Sequence, residues 1–393
     1  MSLRRTVLPA VLVVIPFLAL MLGVFVLVSS QSTEDREKRY RQVLEDPTPS
    51  AQDVTEVAGA PSDVVSGEDG STLLSYFAAD VEDDEGFAAS AWRLYGPDGD
   101  VLAEDAYHTD SWEAGGSSST SFTAVPGGFL HLSDATYPED DGDFFLDPRG
   151  KRHPVRSSHT ALGFRTGDVV LSLPYGDPKM LFRPSQRTVA PAKGLPRTRD
   201  LDSYVVEDRG TVLGVQVPED DGPSRGVRRR GDRQRSQELP YRATVRDGDL
   251  ATRGDSAAVA LQKSADGSDR RLVALFLTTD NGRRWTTLRN SAHVPLDVFT
   301  PGGDEVTVEI LADGRVLLDQ GGDTSLLADT SHDNTFHRVT KPAEFVRVLA
   351  RGNTLYGIAD AEDPSYDLVR GEGLWLSRDG GHTWSRFPDG DDD

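Results

Sequence analysis

From about Val54 onward the chain alternates short apolar runs with clusters of Gly, Asp and Pro, and no long stretch carries the 3.6-residue period of a helix. Runs such as Leu73-Leu74-Ser75-Tyr76-Phe77, Val212-Leu213-Gly214-Val215 and Leu355-Tyr356-Gly357-Ile358 are too short for helices and rich in β-branched and aromatic residues. The pattern predicts an all-β domain of strands joined by tight turns.

The turns repeat. Asp69-Gly70, Gly127-Gly128, Thr166-Gly167, Arg209-Gly210, Asp247-Gly248, Asp313-Gly314 and Arg351-Gly352 each stand before an apolar run, the fifth followed only by Leu250. Their spacing is ragged but centres on roughly 40–50 residues, the length of one four-stranded propeller blade. Each such sheet buries both faces against its neighbours, and circular closure leaves only short edges. The expectation is a seven-bladed β-propeller over 54–388. Its last blade has four strands of its own (Phe345 to Leu349, Thr354 to Ala359, Gly373 to Leu376, Thr383 to Phe387), and Val54 to Val57 either joins it or packs nearby.

Two turns carry a longer signature. Thr278-Thr279-Asp280-Asn281-Gly282-Arg283-Arg284-Trp285 and Ser377-Arg378-Asp379-Gly380-Gly381-His382-Thr383-Trp384 share the pattern S/T-x-D-x-G-x-x-W, each between two short strand-like runs. The Asp can accept from turn amides, the Gly can take positive φ, and the Trp can pack back onto the sheet. Ser331-His332-Asp333-Asn334-Thr335-Phe336, between them, keeps S-x-D but has lost the Gly and the Trp. These segments resemble the Asp-box, or BNR, repeat of sialidase-type β-propellers. The resemblance implies that Thr278, Asp280, Gly282 and Trp285, and Ser377, Asp379, Gly381, Thr383 and Trp384, are structural, on turns away from the usual ligand face.

If the chain is an enzyme, the same resemblance implies a sialidase-type glycosidase, with three arginines for the substrate carboxylate, a Tyr–Glu pair as nucleophile and an Asp as acid/base. The Phe/Tyr-Arg-Ile-Pro motif of those enzymes finds only Phe182-Arg183-Pro184 here, without the Ile and at about the third repeat. Glu104 with Tyr107, and Glu309, are no more than candidate carboxylates among 64 acidic residues. The catalytic residues are left unassigned. Other propellers with this repeat, such as the photosystem II assembly factors, act as binding or assembly platforms, and that mode of action is the preferred expectation; a glycan-binding lectin is the other alternative to it.

The N-terminus adds a second element. Arg4 and Arg5 precede an uncharged apolar run over residues 6–28, long enough to span a bilayer as a helix and followed by a poor cleavage match at Val28-Ser29-Ser30-Gln31. The expectation is an uncleaved transmembrane signal anchor with residues 1–5 in the cytoplasm and the propeller outside it. Residues 29–53 form a juxtamembrane helix and a linker at Asp46-Pro47-Thr48-Pro49-Ser50, and 389–393 an acidic tail. The lipid bilayer is thus one partner, and an unknown protein or glycan the other.

Composition changes the picture in three ways. A formal net charge of −22 disfavours nucleic acid as a partner. The absence of Cys excludes disulfides and thiolate chemistry, and the abundance of Arg, Ala, Gly and Asp suggests a bacterial source. No nucleotide-binding, zinc-protease or serine-hydrolase motif is present, and no cofactor or metal is expected. The acidic run Glu139-Asp140-Asp141-Gly142-Asp143 does not have the spacing of a calcium loop. The opposite feature is a basic loop holding Arg225, Arg228, Arg229, Arg230, Arg233 and Arg235, unusual in so acidic a chain and a candidate docking site for an anionic partner such as lipid headgroups, a wall polymer or an acidic protein.

Overall fold

The computed structural model describes residues 38–79, 88–109, 121–132, 143–171, 179–239 with short breaks, 250–287 with a break at 265–269, and 299–387 with breaks at 301–306, 320–324, 330–334, 343–344 and 360–372. The described strands form seven sheets.

Five of them are antiparallel meanders of four sequential strands. Sheet 1 comprises Asp63–Ser66, Thr72–Ala79, Ala88–Tyr95 and Val101–Thr109. Sheet 2 comprises Ser121–Val125, Gly128–Leu132, Phe144–Leu146 and Arg152–Pro154. Sheet 4 comprises Ser203–Val206, Val212–Gln216, Arg225–Arg230 and Arg233–Glu238. Sheet 6 comprises Thr307–Ile310, Val316–Asp319, Ser325–Asp329 and Thr335–Arg338, and sheet 7 Phe345–Arg351, Thr354–Ala359, Leu374–Ser377 and Ser385–Arg386. Sheet 5 follows the same path through Leu250–Arg253, Ser256–Ser264, Arg270–Thr278 and Thr286–Thr287, with Phe299–Thr300 pairing its third strand as well.

Sheet 3 is irregular. Val169–Leu171, Met180–Arg183 and Thr188–Lys193 form a meander, but Arg156–Ser157 and Leu162–Gly163, which precede it in sequence, pair in parallel with its last strand. The turn at Gly167 therefore leads into the first strand of that meander, whereas Gly70, Gly210, Gly314 and Gly352 join first and second strands. Sheet 5 also departs from expectation. Leu250 belongs to its first strand, and the turn to the second is made by Gly254 at positive φ; Asp247 and Gly248 lie outside the described residues.

Apolar side chains fill the gaps between successive sheets. Leu73 and Trp92 of sheet 1 meet Phe129 and Leu146 of sheet 2, and Leu130 and Phe145 of sheet 2 meet Leu171 and Phe182 of sheet 3. The Lys179 ammonium stands 4.3 Å from the Tyr204 ring between sheets 3 and 4. Leu213 and Val215 pack on Val259 and Phe276, Leu275 and Leu277 on Val316 and Leu318, and Leu317 on Val348 and Leu355. The series then closes on itself. Val64, Leu74 and Tyr76 of sheet 1 share one core with Leu349, Tyr356 and Leu376 of sheet 7, and Tyr356 Oη lies 3.1 Å from Thr72 Oγ1. Sheets stacked in chain order with the last against the first make an all-β β-propeller.

The join between sheets 7 and 1 is covered by helices. Residues 38–45 form helix α1, and Ala51–Ala58 form α2. Asp46 to Ser50, expected as a linker, is a tight corner: Asp46 Oδ1 accepts from Thr48 N at 2.8 Å, and Ser50 caps α2 by accepting from Asp53 N at 3.1 Å. Val54 to Val57 is therefore helical and adds no strand. Val54 is fully buried in the core shared by sheets 1 and 7. Tyr40 Oη donates to Ala79 O and accepts from Ala79 N, at 2.9 and 3.1 Å, and Arg39 pairs with Glu56. The expected anchor over residues 6–28 lies outside the described residues; among those described, no helix is long and apolar enough to cross a membrane.

Candidate functional site

An up-and-down sheet puts its first–second and third–fourth turns at the same end of the ring. Helix α2 leads into the start of the first strand of sheet 1, and so sits at the other end. The ring thus has a helix-capped face and a turn face, and the tip of the arginine hairpin, between the third and fourth strands of sheet 4, falls on the turn face.

Both complete motif copies occupy third–fourth turns. In sheet 5, Asp280 Oδ1 accepts from Thr278 Oγ1 at 3.0 Å and from the backbone N–H groups of Arg283 and Arg284 at 2.9 Å each, while Gly282 N donates to Thr278 Oγ1 at 3.0 Å. In sheet 7, Asp379 repeats this with Ser377 Oγ, His382 N and Thr383 N, adds a 2.6 Å bond from Thr383 Oγ1, and Gly381 N donates to Ser377 Oγ at 2.8 Å. Gly282 and Gly381 have φ of 69° and 86°.

Burial works to raise the Asp280 pKa, but the amides of Arg284 and Arg283 and the Thr278 hydroxyl outweigh it and hold the carboxyl below its ordinary value. For Asp379 the Thr383 hydroxyl and amide dominate, and the carboxyl is held far below the usual range. Both acids build their turns, Asp280 through Oδ1 and Asp379 through both oxygens. The tryptophans pack on the preceding sheet. Trp285 is buried beside Gly226 of sheet 4 with its backbone clasped by Gln237, and Trp384 Nε1 donates to Thr340 O just after the last strand of sheet 6, at 2.6 Å. Of the degenerate copy, Ser331 to Asn334 lie outside the described residues.

The basic segment is a hairpin, not a loop. Arg225–Arg230 and Arg233–Glu238 are the third and fourth strands of sheet 4, joined through Gly231 at φ 55° and Asp232. The register divides its arginines. Arg229 is buried, with Nη1 donating to Asp200 Oδ1 at 2.7 Å, and Arg225 lies 3.7 Å from Glu238. On the other face Arg228 opposes Arg235 and Arg230 opposes Arg233. Arg228 Nε donates to Asn281 Oδ1 at 2.7 Å, so this face runs directly into the Asp280 turn of sheet 5.

A second charged group lies where the ring closes. Glu309 of sheet 6 accepts from Arg351 Nη1 at 2.7 Å and from Ala350 N, while Arg351 Nε donates to Val64 O of sheet 1 at 3.1 Å. Burial raises the pKa of Glu309, opposed by the Arg351 charge, and burial raises that of Asp63 against the charges of Arg351 and Arg347. Arg351 thus ties three sheets together. Glu309 stands in the sequence only as one carboxylate among many, and Asp200, Asp63 and the Arg351 tie carry no signal there, because nothing in the spacing distinguishes them.

No protein-family model and no curated protein matches the chain. Among solved structures it is similar to the β-propeller domain of the trilobed protease from Pyrococcus furiosus, with 10% identity over 85% of this chain and 99% of that one and a TM-score of 0.48. It is similar also to apo AztD from Citrobacter koseri, with 15% identity, coverage of 81% and 83%, and a TM-score of 0.40. For an acylaminoacyl peptidase from Pyrococcus horikoshii the identity is 9%, the coverage 84% of this chain and 52% of that one, and the TM-score 0.47; the chain spans about half that peptidase's length.

The candidate sialidase residues are dispersed. Glu104 is held by Arg93 Nε at 2.7 Å on the outermost strand of sheet 1, and Tyr107 Oη faces His131 Nε2 at 3.4 Å. Glu309 is in sheet 6. Arg183 is buried in sheet 3, where it donates to both carboxylate oxygens of Asp168 and to Gly163 O, pinning the parallel strand to the meander. Its guanidinium is committed to that structural role. Asp147, beside the acidic run, accepts from Arg149 N and Lys151 N at 3.0 Å each and meets His153 Nε2 at 2.9 Å, which shapes the turn. Glu139 to Gly142 lie outside the described residues, and among those described no three His, Asp or Glu side chains gather as a metal site.

Proposed function

We propose that this chain is a membrane-anchored, extracytoplasmic, seven-bladed β-propeller of the Asp-box type that serves as a binding or assembly platform, with each of the seven sheets one blade. The observation that carries this is the docking of α1 and α2. Tyr40 and Val54 fasten the juxtamembrane segment to one face of the ring, and Arg39 ties its two helices together. The apolar run over residues 6–28 would therefore leave from that face, and the opposite face, with the Asp-box turns and the arginine hairpin, would point away from the bilayer. A rigid ring that presents short turns in fixed register suits recognition, since loops on a stable scaffold are where binding varies.

The test compares the full chain with one lacking residues 6–28 in the producing cells. The full chain is expected to resist alkaline-carbonate extraction, and a photocrosslinker at the turn face is expected to yield one discrete adduct that the same probe on the helix face does not. Extraction of the full chain, or identical adducts from both faces, would overturn the proposal. Turnover of a fluorogenic sialoside by the purified chain would replace it with the glycosidase alternative.

A further inference from the structure

We infer that the outer hairpin of sheet 4 binds a linear, phosphate-bearing polyanion on the face formed by Arg228, Arg230, Arg233 and Arg235. This rests on the platform reading and gives it a ligand class.

Like charges placed directly opposite each other across an antiparallel pair destabilise it. Here two such pairs stand side by side, Arg228 with Arg235 and Arg230 with Arg233. Residues two apart on a strand share a face, so all four side chains project the same way. The chain has ample acid for neutralising them, yet Arg230, Arg233 and Arg235 have no ion-pair partner among the described residues. Carboxylates of the adjoining elements have partners of their own: Asp280 accepts three donors of its own turn through Oδ1, Asp255 supports Asn281, and Asp200 and Glu238 serve Arg229 and Arg225 of the opposite strand face. Asp232 is at the hairpin tip.

Protection of a sheet edge does not explain the pattern. Charges on the outermost strand discourage edge-to-edge pairing, which accounts for Arg233 and Arg235. It gives no reason for Arg228 and Arg230 opposite them on the inner strand. An anion spanning both strands does.

Phosphate fits this geometry best. A tetrahedral phosphate holds its oxygens out of one plane and can meet two facing guanidinia with separate oxygens, while a carboxylate has only two oxygens, both in one plane. The two arginine pairs lie one pleat repeat apart, about 7 Å, so the ligand needs successive phosphates along a chain. Arg283 and Arg284, exposed on the adjoining turn next to Arg228's partner Asn281, extend the positive strip beyond the hairpin. A bilayer surface fits less well. Among the described residues no exposed large apolar side chain accompanies the arginines; the exposed large hydrophobics described, Val101 and Leu102, are on sheet 1.

The test uses the full chain and inorganic polyphosphate as probe, with poly-glutamate and phosphatidylglycerol vesicles as comparators. Wild type is expected to bind polyphosphate with an affinity that falls as salt rises, and to bind the comparators at least about tenfold more weakly. The triple variant Arg230→Gln/Arg233→Gln/Arg235→Gln replaces exposed, unpaired side chains; it is expected to keep the wild-type melting temperature, lose affinity at least about tenfold and show a shallower salt slope. Arg225→Gln, on the opposite strand face, is expected to bind as wild type. Absence of polyphosphate binding, equal binding by the triple variant, equal loss in Arg225→Gln, or comparators that bind as tightly would each overturn the inference. None of these outcomes touches the carbonate extraction or the face-specific adduct, so failure here is distinguishable from failure of the platform reading.

Discussion

Trp285 fills the space that a side chain at Gly226 would need. A Cβ built on Gly226 would stand 2.7 Å from Trp285 Nε1, and the indole is buried between sheets 4 and 5. The turn motif of one sheet is thus completed by a glycine of the sheet before it. Gly226→Ala is expected to destabilise the protein by about 1–3 kcal/mol in urea unfolding, because the indole has no room to retreat. Gly163→Ala, where an added Cβ meets nothing within 4 Å, is expected to change stability by less than about 0.5 kcal/mol.

Asp280 concentrates its turn on one oxygen. Thr278 Oγ1, Arg283 N and Arg284 N all donate to Oδ1. Asp280→Asn can keep an oxygen there, whereas Asp280→Ala leaves three donors to water. Discounted for partial exposure, the alanine variant is expected to cost about 1–2 kcal/mol and the asparagine variant less than half of that, read from the midpoints of urea unfolding curves.

The carboxylates of the turns and of the ring closure titrate in opposite directions. Asp280 has its folded pKa below the ordinary 3.8, so its contribution is present above that value and lost as pH falls through the folded value. Glu309 has its folded pKa raised above 4.5, so its contribution is present below that value and lost as pH rises through the folded value. The stability of Asp280→Asn relative to wild type should therefore fall as pH rises from strongly acidic through the ordinary carboxyl range. That of Glu309→Gln should climb as pH rises from that range toward neutrality. Parallel pH profiles for both variants and wild type would show that neither carboxyl is perturbed.

Arg183 and Asp168 form a buried, doubly hydrogen-bonded pair. Arg183→Met strands a buried carboxylate and is expected to cost about 3–5 kcal/mol, while combining it with Asp168→Leu should recover most of that loss. Recovery by the double change, measured by thermal or urea unfolding, separates a structural pair from an arginine kept for a ligand: a ligand-binding arginine would leave stability nearly unchanged when replaced alone.

What was legible in the sequence was whatever one hairpin decides locally. Gly70, Gly210, Gly314 and Gly352 take positive φ between paired strands, and the motifs ending in Trp285 and Trp384 make the bonds their residue types suggested. What depends on neighbours was hidden. The density of arginines over 225–235 erased the alternation that marks a strand, and only the register separates buried Arg229 from the four arginines facing the other way. Helix α2 was concealed because Val54, Thr55 and Val57 favour strands by propensity, while the cap at Ser50 and burial of Val54 against sheets 1 and 7 impose a helix. In sheet 5, Leu250-Ala251-Thr252 is too weakly apolar to announce a strand, so the sequence pattern points to Gly248 whereas the turn is made at Gly254.

The central claim is that an apolar N-terminal anchor holds the ring outside the cytoplasm with the turn face accessible. The chain contains no cysteine, so single reporters are free of background. Ser2→Cys and Asp232→Cys, each in the full chain, would be labelled with a membrane-impermeant maleimide in intact cells and again after lysis. The expected result is that Cys at 232 labels in intact cells, that Cys at 2 labels only after lysis, and that both proteins sediment with membranes. Protection of both positions in intact cells, or recovery of both proteins in the soluble fraction, would contradict it.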